Sequence, residues 1–147
     1  MNWNSTGNKP TFLNLMENYF KKIIDDKLVN PPDKITKALH DNFTNPLWVE
    51  WFIKSNQYEA IFYSDNTEHI ALFDQQGNLL SFRVNLPLAM LPLSITNQVE
   101  NHGELMNLIL KNTNKYVEYE LIVRDSKLIR YQLNFDTEGH LIKKVEL

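Results

Sequence analysis

Apolar and polar residues alternate over eight stretches of the chain: Leu47–Ile53, Tyr58–Ser64, His69–Asp74 and Leu79–Val84, then Leu105–Lys111, Tyr116–Arg124, Leu128–Phe135 and Leu141–Leu147. A period of two predicts strands with one face buried. Short polar connectors such as Lys54-Ser55-Asn56-Gln57 and Asp65-Asn66-Thr67 predict hairpins. Three segments have a helical period instead. Ile35, Ala38, Leu39 and Phe43 fall on one helix face behind Pro32, and Ile95 and Val99 do so behind Pro92. Proline suits a first helical turn, where its missing N–H costs nothing. Gly103 predicts the stop of the second of these helices. Near the start, Phe12, Leu15, Met16, Tyr19, Phe20, Ile23 and Ile24 predict a further amphipathic helix. Thr11 is its expected cap, and Lys21, Lys22, Asp25 and Asp26 form its wet side.

The order of one helix and four strands occurs twice. Tyr58-Glu59-Ala60-Ile61 matches Tyr119-Glu120-Leu121-Ile122 at an offset of 61. Phe73-Asp74-x-x-Gly77-x-Leu79 matches Phe135-Asp136-x-x-Gly139-x-Leu141 at 62, and Pro32-x-x-Ile35 matches Pro92-x-x-Ile95 at 60. Such drift predicts a tandem repeat with small loop insertions. The expected organisation is an extension, residues 1–30, followed by one domain, residues 31–147, made of repeats 31–85 and 86–147. The fold class is α+β with antiparallel meanders. The two Asp-x-x-Gly turns read as structural: Asp accepts backbone N–H groups, and Gly supplies positive φ.

The repeat register lets the two halves be compared face by face. Tyr58, Ala60, Phe62, Ala71 and Phe73 match Tyr119, Leu121, Val123, Leu133 and Phe135, an apolar face expected to pack on the helices. The opposite face differs. The first half places Tyr63, Ile70, Leu72 and Phe82 where the second has Arg124, Gln132, Asn134 and Lys144. Trp48, Phe52 and Ile61 are expected to add to the apolar side. An uncovered patch of this size exceeds what a soluble monomer commonly exposes. It is the candidate interaction face, covered either by the N-terminal helix or by another chain.

With 147 residues the chain has the length of one domain. Fifteen Lys and Arg against 18 Asp and Glu, a net charge of −3, argue against a nucleic-acid partner. The absence of cysteine excludes disulfides, thiol catalysis and thiolate metal sites. His40, His69, His102 and His140 are scattered, without ligand spacing. Glu118 and Glu120 read as solvated charges. Neither a nucleophile elbow nor a phosphate loop nor a dinucleotide fingerprint occurs. No catalytic residue, metal site or cofactor is expected. Met1 to Pro10 lacks a basic region followed by an apolar run, which reads as cytoplasmic. The stretch Leu86–Ile95 is too short for a membrane span and contains Pro87 and Pro92.

The ordered motifs Pro-x-x-Ile, Val49-Glu50-Trp51, Tyr-Glu-Ala-x-Phe (58–62), Phe-Asp-x-x-Gly-x-Leu-Leu (73–80), Leu91-Pro92-x-x-Ile95 and Phe-Asp-x-x-Gly-x-Leu (135–141) resemble the PepSY-like periplasmic proteins of Bacteroidetes. That resemblance spans about residues 31–147. It implies a fold similar to the beta-lactamase-inhibitor protein (BLIP), an exported location, and non-enzymatic binding of a protein or peptide, with inhibition as one form. The alternatives are a structural protein that self-associates through the apolar face, and a binder of a small apolar ligand.

Overall fold

The computed structural model describes residues 27–147. The helix expected over residues 12–24 lies outside the described residues. The elements are β1 (Lys27–Leu28), α1 (Asp33–Asn42), β2 (Leu47–Lys54), β3 (Gln57–Ser64), β4 (Thr67–Phe73), β5 (Leu79–Leu86), a 3-10 turn (Leu88–Met90), α2 (Leu93–Val99), β6 (Glu104–Thr113), β7 (Val117–Arg124), β8 (Arg130–Asp136) and β9 (Leu141–Glu146). The class is α+β with antiparallel pairing. The described chain forms two compact units, one up to Leu80 and one from Ser81 on.

In the first unit β1, β2, β3 and β4 pair in chain order. Pro32 precedes α1 and its carbonyl accepts the Ile35 and Thr36 N–H groups. Ile35, Ala38 and Leu39, spaced three and four apart, are buried. Phe43 ends the helix and meets the Phe62 ring edge-on at 4.9 Å. Ala60, Phe62, Ala71 and Phe73 are buried, and Trp51 packs at 5.9 Å from Phe73. The helix side of this ladder is therefore the side of β3 that carries Ala60 and Phe62. Both hairpin turns are two residues long. Ser55, Asn56, Asp65 and Asn66 have φ between +49° and +62°, the primed geometry that matches strand twist.

In the second unit β5 to β9 again pair in chain order. Ile95 and Val99 of α2 pack with Leu108, Leu121, Val123, Leu133 and Phe135. The Gly103 N–H bonds the Val99 carbonyl. Its φ of +144° is closed to side chains, and a Cβ there would stand 2.4 Å from the Arg124 carbonyl oxygen. β5 bonds to β6 through Ser81–Leu86, so its ladder belongs to the second unit, although the sequence repeat counts it with the first.

Both Asp-x-x-Gly turns have the expected form. Asp74 Oδ1 accepts the N–H groups of Gln76 and Asn78, and Asp136 Oδ1 those of Glu138 and His140, each at 2.9 Å. Gly77 and Gly139 have φ of +92° and +93°. Between β7 and β8 the motif recurs without glycine. Asp125 Oδ1 accepts from Lys127 and Ile129 at 2.9 and 3.0 Å, and Leu128 takes φ +65°. This turn delays β8 to Arg130, two residues beyond the expected start at Leu128.

Candidate interaction face

On the side of the first ladder away from α1, the register sets Leu47 beside Tyr63 and Glu68, Glu50 beside Ile61 and Ile70, and Phe52 beside Glu59 and Leu72. Five of the seven expected residues thus share this side: Phe52, Ile61, Tyr63, Ile70 and Leu72. Ile61 and Ile70 are buried, while Phe52, Tyr63 and Leu72 are half-buried.

Trp48 joins them through a bulge. Leu47 faces Tyr63, but Glu50 faces Ile61, so β2 has one residue more than its partner here. Trp48 takes φ +53° and meets Tyr63 at 5.2 Å with the rings at 86°. Its exposure is 74%. A bulky residue in left-handed backbone costs on the order of 1–2 kcal/mol. The loop before it is anchored: Ser64 Oγ donates to the Thr44 carbonyl at 2.6 Å, and Pro46 is buried. The indole is therefore displayed from a fixed base.

Phe82, expected on this face, belongs to the ladder of the second unit. It faces Asn112 and alternates with Val84 and Leu86, which face Leu110 and Leu108. Leu86 packs on the core beneath α2, so Phe82 lies on the helix side of its own unit. Lys144, its match in the repeat and expected on the opposite face, likewise lies on the helix side of this unit, facing Leu133. Its ammonium lies 4.4 Å from the Tyr131 ring centre and 3.2 Å from His102 Nδ1, as donor to the imidazole.

Carboxylates lie among these apolar positions, where alternation alone does not mark them. Glu59 and Glu68 are buried and Glu50 is exposed. The Tyr63 hydroxyl donates to Glu68. Burial first, then the Glu68 charge and this bond, push the phenol up to about 12. In the second unit the face away from α2 is not simply wet. Glu120 is buried rather than solvated and forms an ion pair with Arg83 through two contacts. Asn134, also buried, donates to Glu118 at 2.7 Å and to Glu120 at 3.4 Å, and accepts from Gln132 at 2.9 Å. Arg124 pairs with Glu104 at 3.4 Å. Arg83, Glu118, Glu120 and Asn134 thus partner one another across strands, and Gln132 joins them along β8.

Other chemistry in the described residues has local explanations. His69 stacks on Phe62 at 5.2 Å and meets Phe43 at 5.4 Å, on the helix side. Burial there lowers its pKa. Ligand atoms of Asp136, Glu138 and His140 lie within 4.8 Å of one another. Asp136 Oδ1 already receives two turn N–H groups, and Oδ2 lies 3.0 Å from His140 Nδ1. The turn accounts for the cluster. An open cavity of about 470 Å³ is lined by Leu128, Ile129, Arg130, Glu146 and Leu147, all in the second unit. No helix among the described residues is long and apolar enough to cross a membrane.

The arrangement resembles several solved structures. A DUF2874 family protein of Bacteroides uniformis matches with TM-score 0.71 at 18% identity, over 80% of this chain and 90% of that one. A BLIP-like protein of Bacteroides fragilis matches with TM-score 0.69 at 20% identity, over 81% and 88%. A candidate periplasmic protein of Bacteroides eggerthii matches with TM-score 0.71 at 15% identity, over 80% and 90%. At these identities the likeness shows the fold, which is BLIP-like. No protein-family model and no curated protein matches the sequence.

Proposed function

We propose that this protein is a non-enzymatic protein- or peptide-binding module, inhibitor-like in form. It engages its partner through the first-unit face that carries Trp48, Phe52, Tyr63 and Leu72. The observation that supports this most is Trp48 itself. A large aromatic residue is held in strained backbone, on an anchored loop, with most of its surface in solvent. Strain of this kind persists where surrounding structure over-determines it, and it concentrates at binding sites. Trp and Tyr are also the side chains most enriched at the energetic centres of interfaces. The order of the PepSY-like motifs and the BLIP-like fold both support a binding role. The matching Asp turns support a tandem origin of the two halves. The candidate periplasmic relative in fold supports an exported location.

The test is quantitative capture from the native source with the unaltered protein and with Trp48→Ala. A partner retained by the first and reduced about tenfold or more by the second is expected, the loss typical of an interface hot spot. Equal capture by both removes the face from the reading. Self-association is the second reading, favoured because Leu47, 48% exposed, stands next to Trp48. It requires a concentration-dependent dimer in sedimentation that Leu72→Lys abolishes.

A further inference from the structure

The face has a sign as well as a shape. Glu50, Glu59 and Glu68 all lie on its side of the first ladder, and exposed Glu50 is two residues from Trp48 along β2. From residue 27 to residue 80 the chain carries seven carboxylates against four lysines, whereas residues 81–147 carry eight charges of each sign. The negative excess therefore sits in the unit that displays the aromatic pair. An exposed indole beside a perpendicular phenol offers ring surface to solvent, and the face of an aromatic ring is the negative end of its quadrupole. Charge alone would draw any cation. Ring surface within an acidic field favours guanidinium, which is planar, stacks flat and is weakly hydrated compared with an ammonium.

We propose that the Trp48–Tyr63 pair, with Glu50 beside it, receives an arginine side chain presented by a partner polypeptide. This rests on the reading of the face as the binding surface and adds the chemistry of its occupant. Phe52 and Leu72 on the same side provide the apolar remainder against which neighbouring residues of that segment lie.

The probes are three capped glycine-flanked peptides that carry arginine, lysine or citrulline. Citrulline keeps the shape of arginine and lacks its charge. Each is titrated into isotope-labelled full-length protein while the tryptophan indole N–H resonances are followed, with affinity from calorimetry. The arginine peptide is expected to shift the Trp48 resonance and leave that of buried Trp51 in place. Its affinity should exceed that of the citrulline peptide about tenfold and fall with added salt. Trp48→Ala and Glu50→Gln should each lower it several-fold. Glu138→Gln, an exposed carboxylate of the other unit, should not. Equal affinity for arginine and citrulline overturns the inference and leaves the binding face intact. A Trp48 shift that follows protein concentration without peptide assigns the face to a second copy of the chain and overturns it as well. Capture of a native partner that depends on Trp48 but is insensitive to Glu50→Gln and to salt would also overturn it, while sparing the proposed function.

Discussion

Leu128 sits where its two sister turns have glycine. Its φ is +65° and its side chain is 69% exposed. Leu128→Gly removes left-handed strain while giving up little burial, so it is expected to stabilise by about 1 kcal/mol, read as a rise in Tm. Gly77 and Gly139 share their φ but not their surroundings. A Cβ at Gly139 would stand 2.8 Å from the Ser94 carbonyl oxygen, whereas at Gly77 the nearest atom is the Lys34 carbonyl oxygen at 3.5 Å. Gly139→Ala should therefore cost more than Gly77→Ala, which should cost about 1 kcal/mol from strain alone. Equal losses would mean that α2 yields to the added methyl. His69 gives a dependence on pH. Burial between Phe62 and Phe43 holds its pKa below 6.5, and the Thr67 backbone and Asp65 only partly offset this. The unfolded chain then binds the proton more readily than the folded one. The stabilising contribution is complete above pH 6.5 and is lost as pH falls below it toward the folded pKa. Denaturant midpoints should drop on acidification from pH 7, and His69→Phe should flatten the slope. His102, lowered by burial and by Lys144, contributes in the same direction.

At the level of elements, strands and helices were legible because their periods differ and their turns carry strong signals. Pro32 and Pro92 mark both helix starts, and Asn56 and Asn66 suit the left-handed positions of primed turns. Side assignment was less legible. The bulge at Trp48 changes strand parity, and it has no sequence signature that alternation reveals. Five of the seven residues of the candidate site were therefore readable as apolar pattern, while the display of Trp48 and the position of Phe82 were not. The buried carboxylates escaped for a different reason. A charge is placed in water by default, and only the cross-strand register brings Arg83 and Glu120 within reach. Arg83→Met leaves the Glu120 carboxylate largely desolvated, with Asn134 alone in compensation. A loss of about 2–3 kcal/mol is expected. Arg83→Met with Glu120→Leu should recover most of it, because the uncompensated charge is gone. A double variant as unstable as the single one would show that packing of the arginine stem, rather than the ion pair, is what β5 needs.

On the scale of the whole molecule, the α+β class and the order of elements followed from the chain's periodicity. The division at Leu80 did not, since it depends on which residues pack together rather than on where a repeat begins. The charge imbalance between the units was likewise invisible in a net value of −3. One feature of the second unit bears on how the protein behaves in concentrated solution. β9 pairs with β8, closes the strand order and is exposed along its length, including Leu141, Ile142 and Val145. Among the described residues no strand pairs with its outer edge, and an open edge with apolar residues is a template for strand addition, the first step toward fibrils. Lys143 and Lys144 interrupt it, because a docking strand would have to bury or displace two ammonium groups. Replacing both by Val should shorten the lag before thioflavin-positive aggregation. It would also move the net charge away from zero, which on colloidal grounds alone should improve solubility. The two effects have opposite signs, so faster aggregation would identify these lysines as gatekeepers of the edge rather than as contributors to overall charge.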